Sequence, residues 1–67
     1  ETNVTREEQI VLSAAARGLT DKEIAAETNY PLNRVKHNLM RVRAKLKARD
    51  RTQAAIQARE RGIIEGR

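Results

Sequence analysis

The sequence predicts an all-α domain of four short helices. Three observations carry that expectation. Thr5 with Glu8, and Thr20 with Glu23, have the spacing of capping boxes, in which a hydroxyl and a carboxylate each satisfy an orphan N–H at a helix start. Val35, Leu39, Val42 and Leu46 fall at i, i+4, i+7 and i+11, one apolar stripe along a helix. The only aromatic residue is Tyr30, so the core is left to Leu, Ile, Val, Met and Ala, which suits packed helices better than strands.

The elements follow in order. The first helix is expected from the Thr5 cap to about residue 17, with Val11, Leu12 and Ala15 inward. Gly18 then sits where left-handed φ closes a helix at little cost. The second helix is expected over about 21–28, with Ile24 and Ala25 inward. It ends near Asn29 and Tyr30, because Pro31 disfavours helical geometry before it and itself fits the first turn of a third helix. That third helix is expected over about 32–47, with Asn33, Lys36, His37, Met40, Arg41 and Ala44 opposite the apolar stripe. Arg49, Asp50 and Arg51 read as a polar turn. Thr52 is the expected cap of a fourth helix over about 53–61, which carries Ala54, Ala55, Ile56 and Ala58 and closes at Gly62. Ile63 and Ile64 are expected to fold back on the core.

The bulk properties bound what this fold can do. A chain of 67 residues holds one domain. At that size only about 60% of the unfolded surface is buried, so every contact matters. There is no cysteine, which removes disulfides and thiolate zinc sites and fits a reducing compartment. No apolar run approaches the roughly 18 residues of a membrane span, and no signal peptide is visible. The domain is expected over 1–65. Residues 66–67 end an Ile-Glu-Gly-Arg sequence and are expected to be a tail or the remnant of an engineered cleavage site.

Charge is distributed unevenly. The net charge is +5, yet through Glu27 six acids outnumber three basic residues. From Thr28 to Arg49 there is no acid, and Arg34, Lys36, Arg41, Arg43, Lys45, Lys47 and Arg49 follow one another. Such a block is either a solvated helix face or the footprint of a polyanion partner.

The second and third helices, joined by a tight turn, read as a helix-turn-helix, with a scaffold helix over 21–28 and a recognition helix over 32–47. In that geometry Asn33, Lys36, His37 and Met40 lie nearest the base edges of double-stranded DNA. Lys36 donates to guanine, Asn33 pairs with adenine or binds phosphate, His37 donates or accepts, and Met40 meets a thymine methyl. The flanking cations, among them Arg41 and Lys47, bind phosphates, which position without specifying. Thr20 and Lys22, at a helix N-terminus, suit a further phosphate. Arg51 is balanced between a DNA contact and a salt bridge to Glu7 or Glu8.

VTREEQIVL (4–12), GLTDKEIA (18–25), Val35-Lys36, Lys45-Leu46, RDRTQAA (49–55) and GII (62–64), in this order and spacing, resemble the LuxR/FixJ/NarL-type transcription regulators of bacteria. The resemblance covers about 4–64. It implies a C-terminal DNA-binding domain governed by an N-terminal receiver or ligand-sensing domain. It implies homodimers on inverted repeats in the bacterial cytoplasm, at the nucleoid, with RNA polymerase as a further candidate partner. By position it implies base reading by Lys36, His37 and Met40, and phosphate contacts by Thr20, Lys22, Arg34 and Lys45. It also implies a dimer contact on the fourth helix, at Thr52, Ala55, Ile56 and Arg59. The chain departs from the family pattern at Ile10 (usually an acid), Thr28 (Leu), Pro31 (Ser), Arg34 (Thr), Asn38 (His) and Lys47 (Gly). These changes alter the bases read rather than DNA binding itself, since Arg34 and Lys47 add positive charge.

Two other classes compete. Region 4 of bacterial sigma factors shares the scaffold helix and an Arg-rich recognition helix, but lacks the 49–64 extension. A helix-turn-helix used only to bind a protein would rely on Ile10 and the alanine face of the fourth helix, and seven cations argue against that as the main role. An enzyme is the least supported reading. His37 is the only histidine, and no phosphate loop, metal spacing or nucleophile motif appears, so no cofactor or metal is expected.

Overall fold

The computed structural model describes residues 3–64; Glu65 and the expected tail at 66–67 lie outside them. It contains α1 (Arg6–Ala16), α2 (Asp21–Thr28), α3 (Leu32–Leu46) and α4 (Arg51–Glu60), with no strand among the described residues. This is the all-α, four-helix fold the sequence predicts.

Both capping boxes form. Thr5 Oγ1 accepts from the Glu8 N–H at 3.1 Å while Glu8 Oε1 accepts from the Thr5 N–H at 3.0 Å. Thr20 and Glu23 repeat the exchange at 3.2 and 2.8 Å. The cap of α4 differs from expectation. Asp50, not Thr52, is the capping residue, in extended backbone, and its Oδ1 accepts from the Gln53 N–H at 2.8 Å. Gln53 reaches back to the Arg49 N–H at 2.7 Å. The carboxylate outcompetes the hydroxyl because it is the better acceptor for an N–H at the positive end of a helix. Thr52 therefore lies inside the first turn, and α4 starts earlier than expected.

The helix ends follow backbone handedness. Gly18 takes φ +89° after α1, as expected. Asn29 ends α2 in the left-handed region at φ 67°. Thr28 shapes that turn: its hydroxyl donates to Ile24 O at 2.7 Å and accepts from the Tyr30 N–H at 3.3 Å. Lys47 is not the last residue of α3 but its left-handed cap, at φ 54°, a conformation that costs a residue with a side chain more than it costs glycine.

α1 packs against the other three helices, and α3 against α2 and α4. Val11, Leu12, Ile24, Val35, Val42 and Leu46 fill the centre. The α3 stripe is buried as expected, but α1 turns Ala14 fully inward and leaves Ala15 half-buried. α4 approaches through Ala54, Ala55 and Ala58, whose small side chains let the helix axis come close. Ala55, expected at a dimer contact, is only 6% exposed and packs into the core of the single chain. Ile64 folds back as expected, and Gln9 Nε2 donates to Ile63 O at 3.0 Å to hold it.

Arg51 resolves differently from either expectation. Its guanidinium pairs with Asp21 at 2.8 Å and donates to Leu19 O at 3.1 Å. It thereby ties the start of α4 to the start of α2, two helices with no backbone contact of their own among the described residues.

Candidate nucleic-acid interface

The outward face of α3 is assembled by elimination. At about 100° per residue, burying Val35, Leu39, Val42 and Leu46 turns Asn33, Lys36, His37, Met40, Arg41 and Ala44 away from the core, and all of them are exposed, as is the capping Lys47. Met40 is 58% exposed, far too open for a core methionine. Pro31 precedes the helix with no side-chain cap, as its missing hydroxyl requires. Beside this face, Lys36, Met40 and Arg43 share a shallow groove with Asp21, Asp50 and Arg51.

The expected phosphate contacts divide into two groups. Thr20, Lys22, Arg41 and Lys47 are exposed. Among the described residues Lys22, Lys36, Arg41 and Lys47 form no ion pair, while Thr20 uses its hydroxyl as the cap of α2. Arg34 and Lys45 are instead bound by α1. Lys45 Nζ lies 2.7 Å from Glu8 Oε1 and 2.8 Å from Asn3 O. Glu8 is 1% exposed, so Lys45 neutralises a buried carboxylate. Arg34 grips Glu7 with Nε and Nη2, each at 2.9 Å, and its guanidinium lies 5.3 Å from the Tyr30 ring centroid.

Two residues of this arrangement were not legible as such in the sequence. Asn38 is 5% exposed and donates to Glu7 Oε1 at 2.8 Å. The hydrogen bond from Asn38, followed by that from Arg34, holds the Glu7 carboxyl below its ordinary pKa, and Glu7 in turn raises that of Arg34. The signal was present but faint: Asn38 falls three residues after Val35 and four before Val42, so it lies at the edge of the apolar stripe, and a polar residue there asks for a partner.

On α4, Thr52 and Ile56 are exposed, Ile56 by 48%, while Arg59 is half-buried and donates to Ala16 O at the end of α1, 3.3 Å away. Of the four positions expected at a dimer contact, Thr52 and Ile56 are thus the ones that face outward. No described helix is long and apolar enough to cross a membrane.

A short scaffold helix, a tight turn and a recognition helix whose outer face carries cations and no acid define a helix-turn-helix DNA-binding domain. The chain belongs to the luxR family of bacterial regulatory proteins: the GerE model of that family matches residues 2–58. It is similar to the transcriptional regulatory protein YdfI of Bacillus subtilis (strain 168), 41% identical over 64 residues that make up 96% of this chain and 30% of that protein. It is also similar to the response regulator protein VraR of Staphylococcus aureus (strain NCTC 8325 / PS 47), and to VraR of Staphylococcus epidermidis. Each is 32% identical over 62 residues, 92% of this chain and 30% of the relative. The chain therefore spans about 30% of the length of the curated relatives it matches. The family match sets aside the sigma-factor alternative.

Proposed function

We propose that this domain reads a specific sequence of double-stranded DNA for a bacterial transcription regulator, with α3 in the major groove. The observation that carries the reading is the outer face of α3, where Asn33, Lys36, His37 and Met40 stand exposed together over a fully buried apolar stripe. In this reading those four side chains meet base edges, and Thr20, Lys22, Arg41 and Lys47 meet phosphates. The protein acts in the bacterial cytoplasm as a homodimer on an inverted repeat, with Thr52 and Ile56 of α4 at the contact and half-sites about one helical turn apart. RNA polymerase is a further partner in this reading, and a regulatory domain elsewhere in a longer protein supplies control.

Selection from a random DNA pool at two salt concentrations tests this. Enrichment of a short inverted repeat supports the full reading. Salt-sensitive but unselective binding leaves a DNA-binding unit without its own specificity, and absence of binding at low salt overturns the proposal.

A further inference from the structure

Arg34, Asn38 and Lys45 line one flank of α3, between the outer face and the buried stripe, where the helix faces α1. Two of them converge on a single carboxylate. Arg34 forms a bidentate pair with both oxygens of Glu7, and Asn38 donates to the same Oε1 that accepts from Arg34 Nε. Tyr30 lies under the guanidinium. Arg34 and Asn38 both depart from the family pattern, and both departures serve Glu7.

We propose that Glu7 is an internal competitor for DNA phosphate: it keeps Arg34 as a tether between α1 and α3 and withholds that cation from the DNA backbone. The proposal rests on the DNA-binding reading above. An exposed ion pair alone is weak, and the Arg34 side chain is 56% exposed. Here, however, the partner carboxylate is fixed by Asn38, which is itself buried, and the guanidinium is fixed by its two-point grip and by the ring. A phosphate that drew Arg34 away would break its Nε hydrogen bond and its Nη2 ion pair with Glu7. It would also leave the Glu7 carboxylate ionised beside a polyanion. Phosphate binding is left to cations such as Lys22, Arg41 and Lys47, which form no ion pair among the described residues. Glu7 is thus a positioning residue that sets which part of α3 is positive toward DNA.

The test is a titration of random-sequence duplex DNA between about 50 and 200 mM salt, with the fold of each variant checked by circular dichroism. Arg34→Ala is expected to leave the salt slope of the native protein unchanged. Glu7→Gln is expected to release Arg34, steepen the slope by about 0.9, and raise the ratio of affinities across that range about three- to fourfold. The double variant Glu7→Gln/Arg34→Ala is expected to return to the native slope, which separates release of Arg34 from mere loss of a negative charge. A slope reduced by about one unit in Arg34→Ala overturns the proposal, as does a Glu7→Gln gain that survives in the double variant. Should Glu7→Gln fail to fold, Arg34→Ala alone decides by the same criterion. A native protein that binds no DNA at the lowest salt overturns the DNA-binding reading itself, and this proposal with it.

Discussion

The α1-facing flank of α3 and its outer face carry the same kind of residue in different surroundings. On the flank facing α1, Arg34 and Lys45 are held by Glu7 and Glu8. On the outer face, Lys36 and Lys47 form no ion pair among the described residues. The helix itself does not separate these cations; what stands opposite each of them does. A basic count along a helix therefore overstates the charge offered to a partner, because part of it is already neutralised by the helix packed beside it.

The largest expected effect strikes the α1 flank. Lys45→Met keeps the aliphatic stem but strips a buried carboxylate of its cation, and should cost about 3 kcal/mol of stability, read from urea unfolding. That is the low end for a broken buried pair, since Lys45 is partly in water and the Thr5 N–H still donates to Glu8. A change within about 0.5 kcal/mol, ordinary for a surface site, would remove the distinction between the flank and the outer face.

On the outer face the expectation reverses. Lys36→Ala should weaken binding to a selected operator by roughly 1–3 kcal/mol and leave unfolding within about 0.5 kcal/mol of the native protein. Unchanged operator affinity would take Lys36 out of the interface. Lys47→Gly should do two things at once. It relieves a left-handed residue and raises stability by about 1 kcal/mol, and it lowers the salt slope by about one unit. A stability gain with an unaltered slope would show that Lys47 holds strained backbone without touching phosphate.

The smallest effect is a pH dependence. The folded pKa of Glu7 lies below its ordinary value, owing first to Asn38 and then to Arg34. A depressed carboxyl pKa contributes stability that is fully present above the unfolded value, near 4.5, and is lost as pH falls through the folded pKa. Urea midpoints measured from neutral pH into this acid range should therefore fall more steeply for the native protein than for Glu7→Gln. Parallel curves would mean that the Glu7 pair adds nothing to folding.

Much of the fold was legible because it is local. Capping boxes join residues three apart, and the α3 stripe needs only helical periodicity, so Thr5, Thr20 and the Val35–Leu46 positions fell where expected. Errors came where neighbours competed. Asp50 displaced Thr52 as the cap of α4, and Ala14 took the inward place expected for Ala15.

The helices, their order, the family and the outward face of α3 follow from local signals, since periodicity, capping chemistry and motif spacing are written within a few residues of each other. Tertiary structure alone decided the partners of the charges. Glu7 meets Arg34 and Asn38, Glu8 meets Lys45, and Asp21 meets Arg51, across separations of 27, 31, 37 and 30 residues respectively. Packing chose among many acids and bases of equal local merit, because Coulomb attraction and hydrogen bonding act over a few ångströms of space whatever the distance along the chain. The same packing turned Ala55 into a core residue and left Ile56 outside.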